Sequence, residues 1–113
     1  MKIEVKKGKR KIEIEARKLS RLGWISGLMF RTRDTDNMLF DFGEIRFSIH
    51  SYFVFFTFLA IWLDKDDNVV DFHIVRPFTS IIRPRKKCSK LIEVPFNRNN
   101  NDIFRFFDGK GKI

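Results

Sequence analysis

Apolar and polar positions alternate from the first residues of the chain. Ile3 and Val5 stand against Lys2, Glu4 and Lys6, and Ile12, Ile14 and Ala16 against Lys11, Glu13 and Glu15. A period of two marks a strand with one buried face. Gly8-Lys9 separates the two runs and suits a Gly-first type II′ turn, so the pattern predicts an opening hairpin pairing Val5 with Ile12 and Ile3 with Ile14. The same register sets Lys6 beside Lys11 and Glu4 beside Glu13, like-charged pairs that diagonal Lys-to-Glu contacts offset.

The densest apolar run is Phe53 to Leu63, broken only by Thr57, inside a longer stretch from Arg46 to Arg76. A membrane span needs about 20 apolar residues, and Arg46, His50 and Asp64 flank this run too closely. Its β-branched and aromatic content favours strand over helix, and Asp64-Lys65-Asp66-Asp67-Asn68 reads as a hairpin turn. With Asp67 and Asn68 at the tip, Leu63 opposes Phe72 and Ile61 opposes Ile74; a register shifted by two residues keeps the same faces. One face is then wholly apolar (Leu59, Ile61, Leu63, Val70, Phe72, Ile74) and is expected to be the single hidden side. The other is mixed (Phe58, Ala60, Trp62, Asp64, Val69, Asp71, His73, Val75) and suits a groove or a covering loop.

Elsewhere the pattern is shorter. Arg17 to Leu22 loses the alternation and fits a short helix or turn stopped by Gly23. Trp24 to Arg31 has no period and reads as a core-covering loop, Thr32 to Asn37 as a turn, and Met38 to Phe42 as a strand ended by Gly43. Arg46 to Phe53 alternates again, with Phe47, Ile49, Ser51 and Phe53 on one side. Pro77 and Pro84 bracket a segment that cannot sit in a central strand. Leu91 to Pro95 is a last strand, Asn97 to Asn101 a polar turn, and Asp102 an N-cap for a short helix from Ile103 to Phe107. Gly109 to Ile113 reads as a loose tail. The expected fold is mostly β: one compact domain over residues 1–113, an antiparallel sandwich or barrel-like arrangement with one or two short helices.

Charge changes this picture only in part. A net charge of +9 on 113 residues favours an acidic partner such as nucleic acid or an anionic surface, although Lys-rich surfaces also mark proteins from hot environments. The solitary Cys88 forms no internal disulfide and the N-terminus carries no apolar signal core, which points to a reducing, cytoplasmic setting. No membrane span is expected, and oligomeric state is left open.

Six segments in register resemble a known family. GLMFR (Gly27 to Arg31), MLFDF (Met38 to Phe42), IHSYF (Ile49 to Phe53), WLDKDDNVVD (Trp62 to Asp71), Arg76-Pro77-Phe78 and LIEVP (Leu91 to Pro95) follow the order and spacing of the domain of unknown function 192, in its archaeal-like form. The resemblance runs from about Ser20 onward and implies a compact β domain with no established activity. The chain departs from the family pattern at Leu59, where members carry a carboxylate, and at Asn97 and Phe107, where they carry glycine.

Candidate chemistry is sparse. Asp64-x-Asp66-x-Asn68 matches the first half of a calcium loop, but Val69 and Val75 stand where the glycine and the bidentate acid are required, so a solvated turn is the preferred reading. No cofactor or metal is implied. His50 and His73 sit on the more polar sides of their runs and, with Asp71, could meet in a metal or acid-base site if those runs are neighbours. Cys88 lies in a basic segment that lowers a thiol pKa but has no nearby histidine. No nucleophile elbow and no phosphate loop is present. The favoured function is therefore a binding or accessory module whose ligand surface comprises His50, Asp71, His73, Arg76, Pro77 and Phe78. The alternative is non-specific nucleic-acid binding through Lys6, Lys7, Lys9, Arg10 and Lys11 together with Arg83, Arg85, Lys86, Lys87 and Lys90. An enzyme using His50 or His73 with Asp71 stands third. Nucleic-acid readout would need exposed aromatic rings, and the pattern assigns most of the 14 Phe to the core.

Overall fold

A computed structural model describes residues 1–19, 31–45, 53–79 and 82–108. Strands β1 (Lys2–Lys7) and β2 (Arg10–Glu15) form the opening hairpin in the expected register, Val5 to Ile12 and Ile3 to Ile14. Gly8 has φ +64°, while Lys9 is not in the left-handed region. That combination is the one a type II′ turn requires, and it fixes which side chains share the inner face.

Five further strands build the main sheet: β3 (Arg17–Lys18), β4 (Met38–Ile45), β5 (Phe58–Leu63), β6 (Val69–Val75) and β7 (Cys88–Pro95), in the order β3-β4-β7-β5-β6. All pairings are antiparallel except the short parallel contact of β3 with β4. A 3-10 turn (Arg98–Asn100) leads into helix α1 (Asn101–Asp108). The domain is thus mostly β with one short α-helix.

The sheet is buried on both sides, and β4, β5, β6 and β7 each contribute side chains to two cores, while the two residues of β3 are exposed. One holds Leu39, Leu59, Ile61, Leu63, Ile92 and Val94 under the β1–β2 hairpin and α1, which add Ile3, Val5, Ile14, Ile103 and Phe107. The other holds Met38, Phe40, Phe58, Ala60, Trp62 and Leu91 with Val54, Phe56, Val75 and Ile82. The expectation of a single hidden side is therefore wrong: every residue of β5 is buried. A central strand with an apolar residue at each position has no wet face to spare.

Other expectations shift in detail. Strand β5 begins only at Phe58, and the preceding Phe53 adopts φ +61°. The β5–β6 register is slipped by two residues, with Ile61 opposite Phe72 and Leu59 opposite Ile74, which preserves those faces. An irregularity between Trp62 and Leu63 then exchanges Val69 and Val70: Val69 packs into the hairpin-side core and Val70 into the opposite one. An extra residue in one strand reverses side-chain parity beyond it. Arg17 and Lys18 are strand rather than helix, because Arg17 N–H donates to Asn37 O at 2.7 Å. Strand β4 continues past Gly43 (φ +75°) to Ile45, with a register break between Asp41 and Ile45. The helix begins earlier than Ile103, and Asn97, not Asp102, caps the turn that leads into it by accepting from Asn99 N–H. The loop of Trp24 to Phe30 and the alternation of Arg46 to Tyr52 lie outside the described residues.

Candidate functional site

Strand β6 is the outer strand beside β5, and the chain leaves its end through Arg76-Pro77-Phe78 before returning to start β7. Strands β6 and β7 both run antiparallel to β5, so residues 76–87 must travel back along the length of the sheet. The described part of this return lies on the Trp62 side: Ile82 belongs to that core, and Arg85 reaches Asp71, whose strand partner is Trp62.

Asp71 is the fastener for this return. It is 5% exposed and accepts from the Arg85 N–H at 3.0 Å, the Phe72 N–H at 2.9 Å and, with His73 Nε2 at 3.1 Å, from three directions. The Arg85 guanidinium adds Nε to Asp71 Oδ1 at 3.3 Å. Both carboxylate oxygens are engaged, so Asp71 satisfies two part-buried backbone donors and ties the return segment to β6. His73 is 40% exposed, and His50 lies outside the described residues. Among the described residues no group of three or more His, Cys, Asp or Glu side chains is placed to hold a metal ion.

Four residues along β6 from this fastener, at the end of the sheet where β5 begins and β6 ends, three phenylalanines face solvent. Phe53, Phe55 and Phe78 are 48%, 59% and 51% exposed. Phe78 meets Phe53 at 6.2 Å and Phe55 at 5.6 Å between ring centroids, both edge to face. Phe53 and Phe78 have φ of +61° and +60°. Such backbone costs about 1–2 kcal/mol per residue for an L side chain, and it turns these two rings outward while Val54 and Phe56 anchor the same segment in the core. Arg76 lies two residues before Phe78, and Thr79 Oγ1 closes the turn by donating to Arg76 O at 2.8 Å.

The two basic clusters are attached to opposite faces of the sheet. Lys6, Lys7, Lys9, Arg10 and Lys11 belong to the hairpin on one face, whereas Arg83, Arg85, Lys86 and Lys87 lie on the return segment on the other. The faces meet at the tip of the β5–β6 hairpin, where Lys6 Nζ donates to Asp66 O and Lys90 pairs with Asp67 at 2.6 Å. Lys7 lies over the Phe72 ring and Arg10 over the Phe106 ring, so several first-cluster cations are already committed to internal contacts. The tip itself is organised by Asp64, whose Oδ1 accepts from the Asp66 and Asn68 N–H groups at 2.9 Å. Partial burial pushes the Asp64 carboxyl up, but the hydrogen bonds from Asn68 and Asp66 outweigh it and hold it below the usual carboxylate range.

Three features are invisible to the alternation pattern. Phe53 and Phe55 read as core but are exposed. Cys88 reads as part of an exposed basic stretch but is buried at the start of β7. Glu93 reads as one of the polar positions of its strand, yet it lies between Met38 and Ala60 on the Trp62 face, 6% exposed, and burial pushes its carboxyl up to about 8. A separate cleft of about 520 Å³ opens between the hairpin and α1. Its lining includes Glu13, Glu15, Asp34, Asp36 and Asp102 against the Met1 ammonium and Arg17, a net acidity opposite in sign to the chain as a whole.

No helix among the described residues is long and apolar enough to cross a membrane. No family model matches the chain, and no curated protein matches it. Among solved structures it is similar to a protein of unknown function from Novosphingobium aromaticivorans DSM 12444, with a TM-score of 0.73 and 14% identity over 91% of this chain and 77% of that one. It is also similar to a candidate transcription regulator from Sinorhizobium meliloti 1021, with a TM-score of 0.70 and 18% identity over 81% and 76% of the two chains. At these identities what is shared is the fold, a small β domain.

Proposed function

We propose that the protein is a binding module of the domain of unknown function 192 family, and that its ligand surface is the exposed phenylalanine cluster with Arg76. The observation that carries this reading is the cluster itself: three large rings held in water, two of them by a backbone conformation that bulky residues avoid. Strain of this kind persists where the surroundings impose it, and exposed apolar clusters mark contact surfaces. Of the residues singled out from the sequence, Arg76, Pro77 and Phe78 belong to this surface. Asp71 supports it by tying down the return segment at Arg85, with His73 bonded to the same carboxylate.

A ring cluster on a segment that also carries Arg76 suits a ligand that is both aromatic and anionic. The test is a titration with 1-anilinonaphthalene-8-sulfonate, a small aromatic anion, against the native protein and a Phe55→Ser, Phe78→Ser variant. Both side chains are more than half exposed, so the variant keeps its fold by circular dichroism. The expected result is dye fluorescence with the native protein and at least a roughly tenfold weaker affinity in the variant. Equal binding by the two proteins removes the phenylalanine cluster as the ligand surface.

A further inference from the structure

We infer that the partner taken by this surface is a single-stranded nucleic acid, an inference that rests on the phenylalanine cluster being the ligand surface. The rings account for one half of such a ligand. The other half is supplied by the return segment: between Phe72 and Ile92 the chain has no Asp or Glu and carries Arg76, Arg83, Arg85, Lys86, Lys87 and Lys90. Lys90 is spent on Asp67, but Arg83, Lys86 and Lys87 are exposed. Because Ile82 and the Asp71 to Arg85 contacts hold this segment over the Trp62 side, and Val54 and Phe56 hold the ring-bearing segment over the same side, rings and cations share one face. From Val75, beside the rings, to Asp71, beside Arg85, is four strand residues, roughly 13 Å.

Each rival ligand uses only part of this arrangement. A duplex presents phosphates to the cations but keeps its base faces stacked inside, away from the rings. An apolar peptide uses the rings and offers nothing to the exposed Arg83, Lys86 and Lys87. A single strand offers base faces for stacking on Phe and a phosphate backbone that follows the cations away from them. Only the second basic cluster is needed; the first lies across the sheet and plays no part.

The experiment is fluorescence anisotropy with labelled oligo-dT and oligo-U of about 12 nucleotides, a duplex of equal length, and phosphatidylcholine–phosphatidylserine vesicles in a sedimentation assay. The single strands are expected to bind at least about tenfold more tightly than the duplex, and to weaken by roughly 10- to 100-fold between about 50 and 200 mM salt. Phe55→Ser with Phe78→Ser should weaken single-strand binding at least roughly tenfold and leave the salt slope unchanged. Arg83→Gln with Lys86→Gln and Lys87→Gln should flatten that slope. Duplex bound as tightly as single strand, single-strand binding indifferent to the Phe substitutions, or vesicles bound while oligonucleotides are not, each overturns the inference. If oligonucleotides fail while the dye still distinguishes native protein from the Phe variant, the ligand surface stands and only its occupant is wrong. If both fail, the surface itself is wrong.

Discussion

Glu93 provides the sharpest quantitative test of the fold. It sits in β7, the strand with partners on both sides in the middle of the sheet, flanked by Met38 on β4 and Ala60 on β5. Burial is the one influence that shifts its carboxyl, and on the same face the indole N–H of Trp62 is buried without a hydrogen-bond partner among the described residues. Burial alone raises the Glu93 pKa from its ordinary 4.5 to about 8. Below the ordinary value both folded and unfolded chains are protonated there, and the group contributes nothing to the pH dependence. Above it the unfolded chain ionises while the folded chain keeps its proton, so stability falls as pH rises until Glu93 itself ionises near 8. At about 1.4 kcal/mol per pH unit, the loss is about 5 kcal/mol across the window and about 3 kcal/mol by neutral pH. Against a typical stability of about 5–15 kcal/mol this is a large share. Urea unfolding followed by circular dichroism, from about pH 4 to pH 9, should show Glu93→Gln gaining on the wild type by about that 3 kcal/mol between the acid and neutral ends. The opposite dependence of Asp64, whose contribution is present above its ordinary 3.8 and lost as pH falls, is common to both proteins and cancels. Two stability curves that run parallel through the window refute the burial of an uncharged Glu93.

Two substitutions check the packing of the layers. Phe107 is fully buried and meets Phe72 and Phe106 edge to face at 5.1 and 5.2 Å; Phe107→Ala should cost about 3–5 kcal/mol in a urea melt, and a cost below about 1 kcal/mol removes α1 from the core. Gly8 has open space around it but φ +64°, so Gly8→Ala should cost about 1–2 kcal/mol from backbone conformation alone, and an unchanged melting curve excludes the proposed turn.

The opening hairpin was legible because a two-residue loop leaves no freedom in register: once Gly8 takes the first turn position, each pair from Lys7 and Arg10 outward follows. The β5–β6 hairpin was legible in its faces but not in its tip. There the Asp64 side chain, bonded to Asp66 and Asn68, sets a longer loop than two polar residues suggest, and the irregularity beside Leu63 swaps Val69 with Val70. The near-absence of polar residues among Phe58, Ala60 and Trp62 was the signal that β5 is covered twice. No such signal marks Phe53 or Phe55, which stand in the densest apolar run, and composition does not reveal the left-handed backbone at Phe53; Phe78 alone of the three was singled out from the sequence. The Asp71 to Arg85 link was also out of reach: it spans fourteen residues and depends on which side of the sheet the return segment crosses.

The contacts of Asp71 have an effect beyond holding a loop. A chain that is 43% hydrophobic and mostly β runs the hazard of sheets joining margin to margin through unsatisfied amides. One lateral margin here is β6, where the register break disturbs the ladder and a carboxylate already occupies the Phe72 amide. The opposite margin is β3, two residues long, both of them exposed cations. Among the described residues neither β6 nor β3 offers a long, flat, neutral template to another copy.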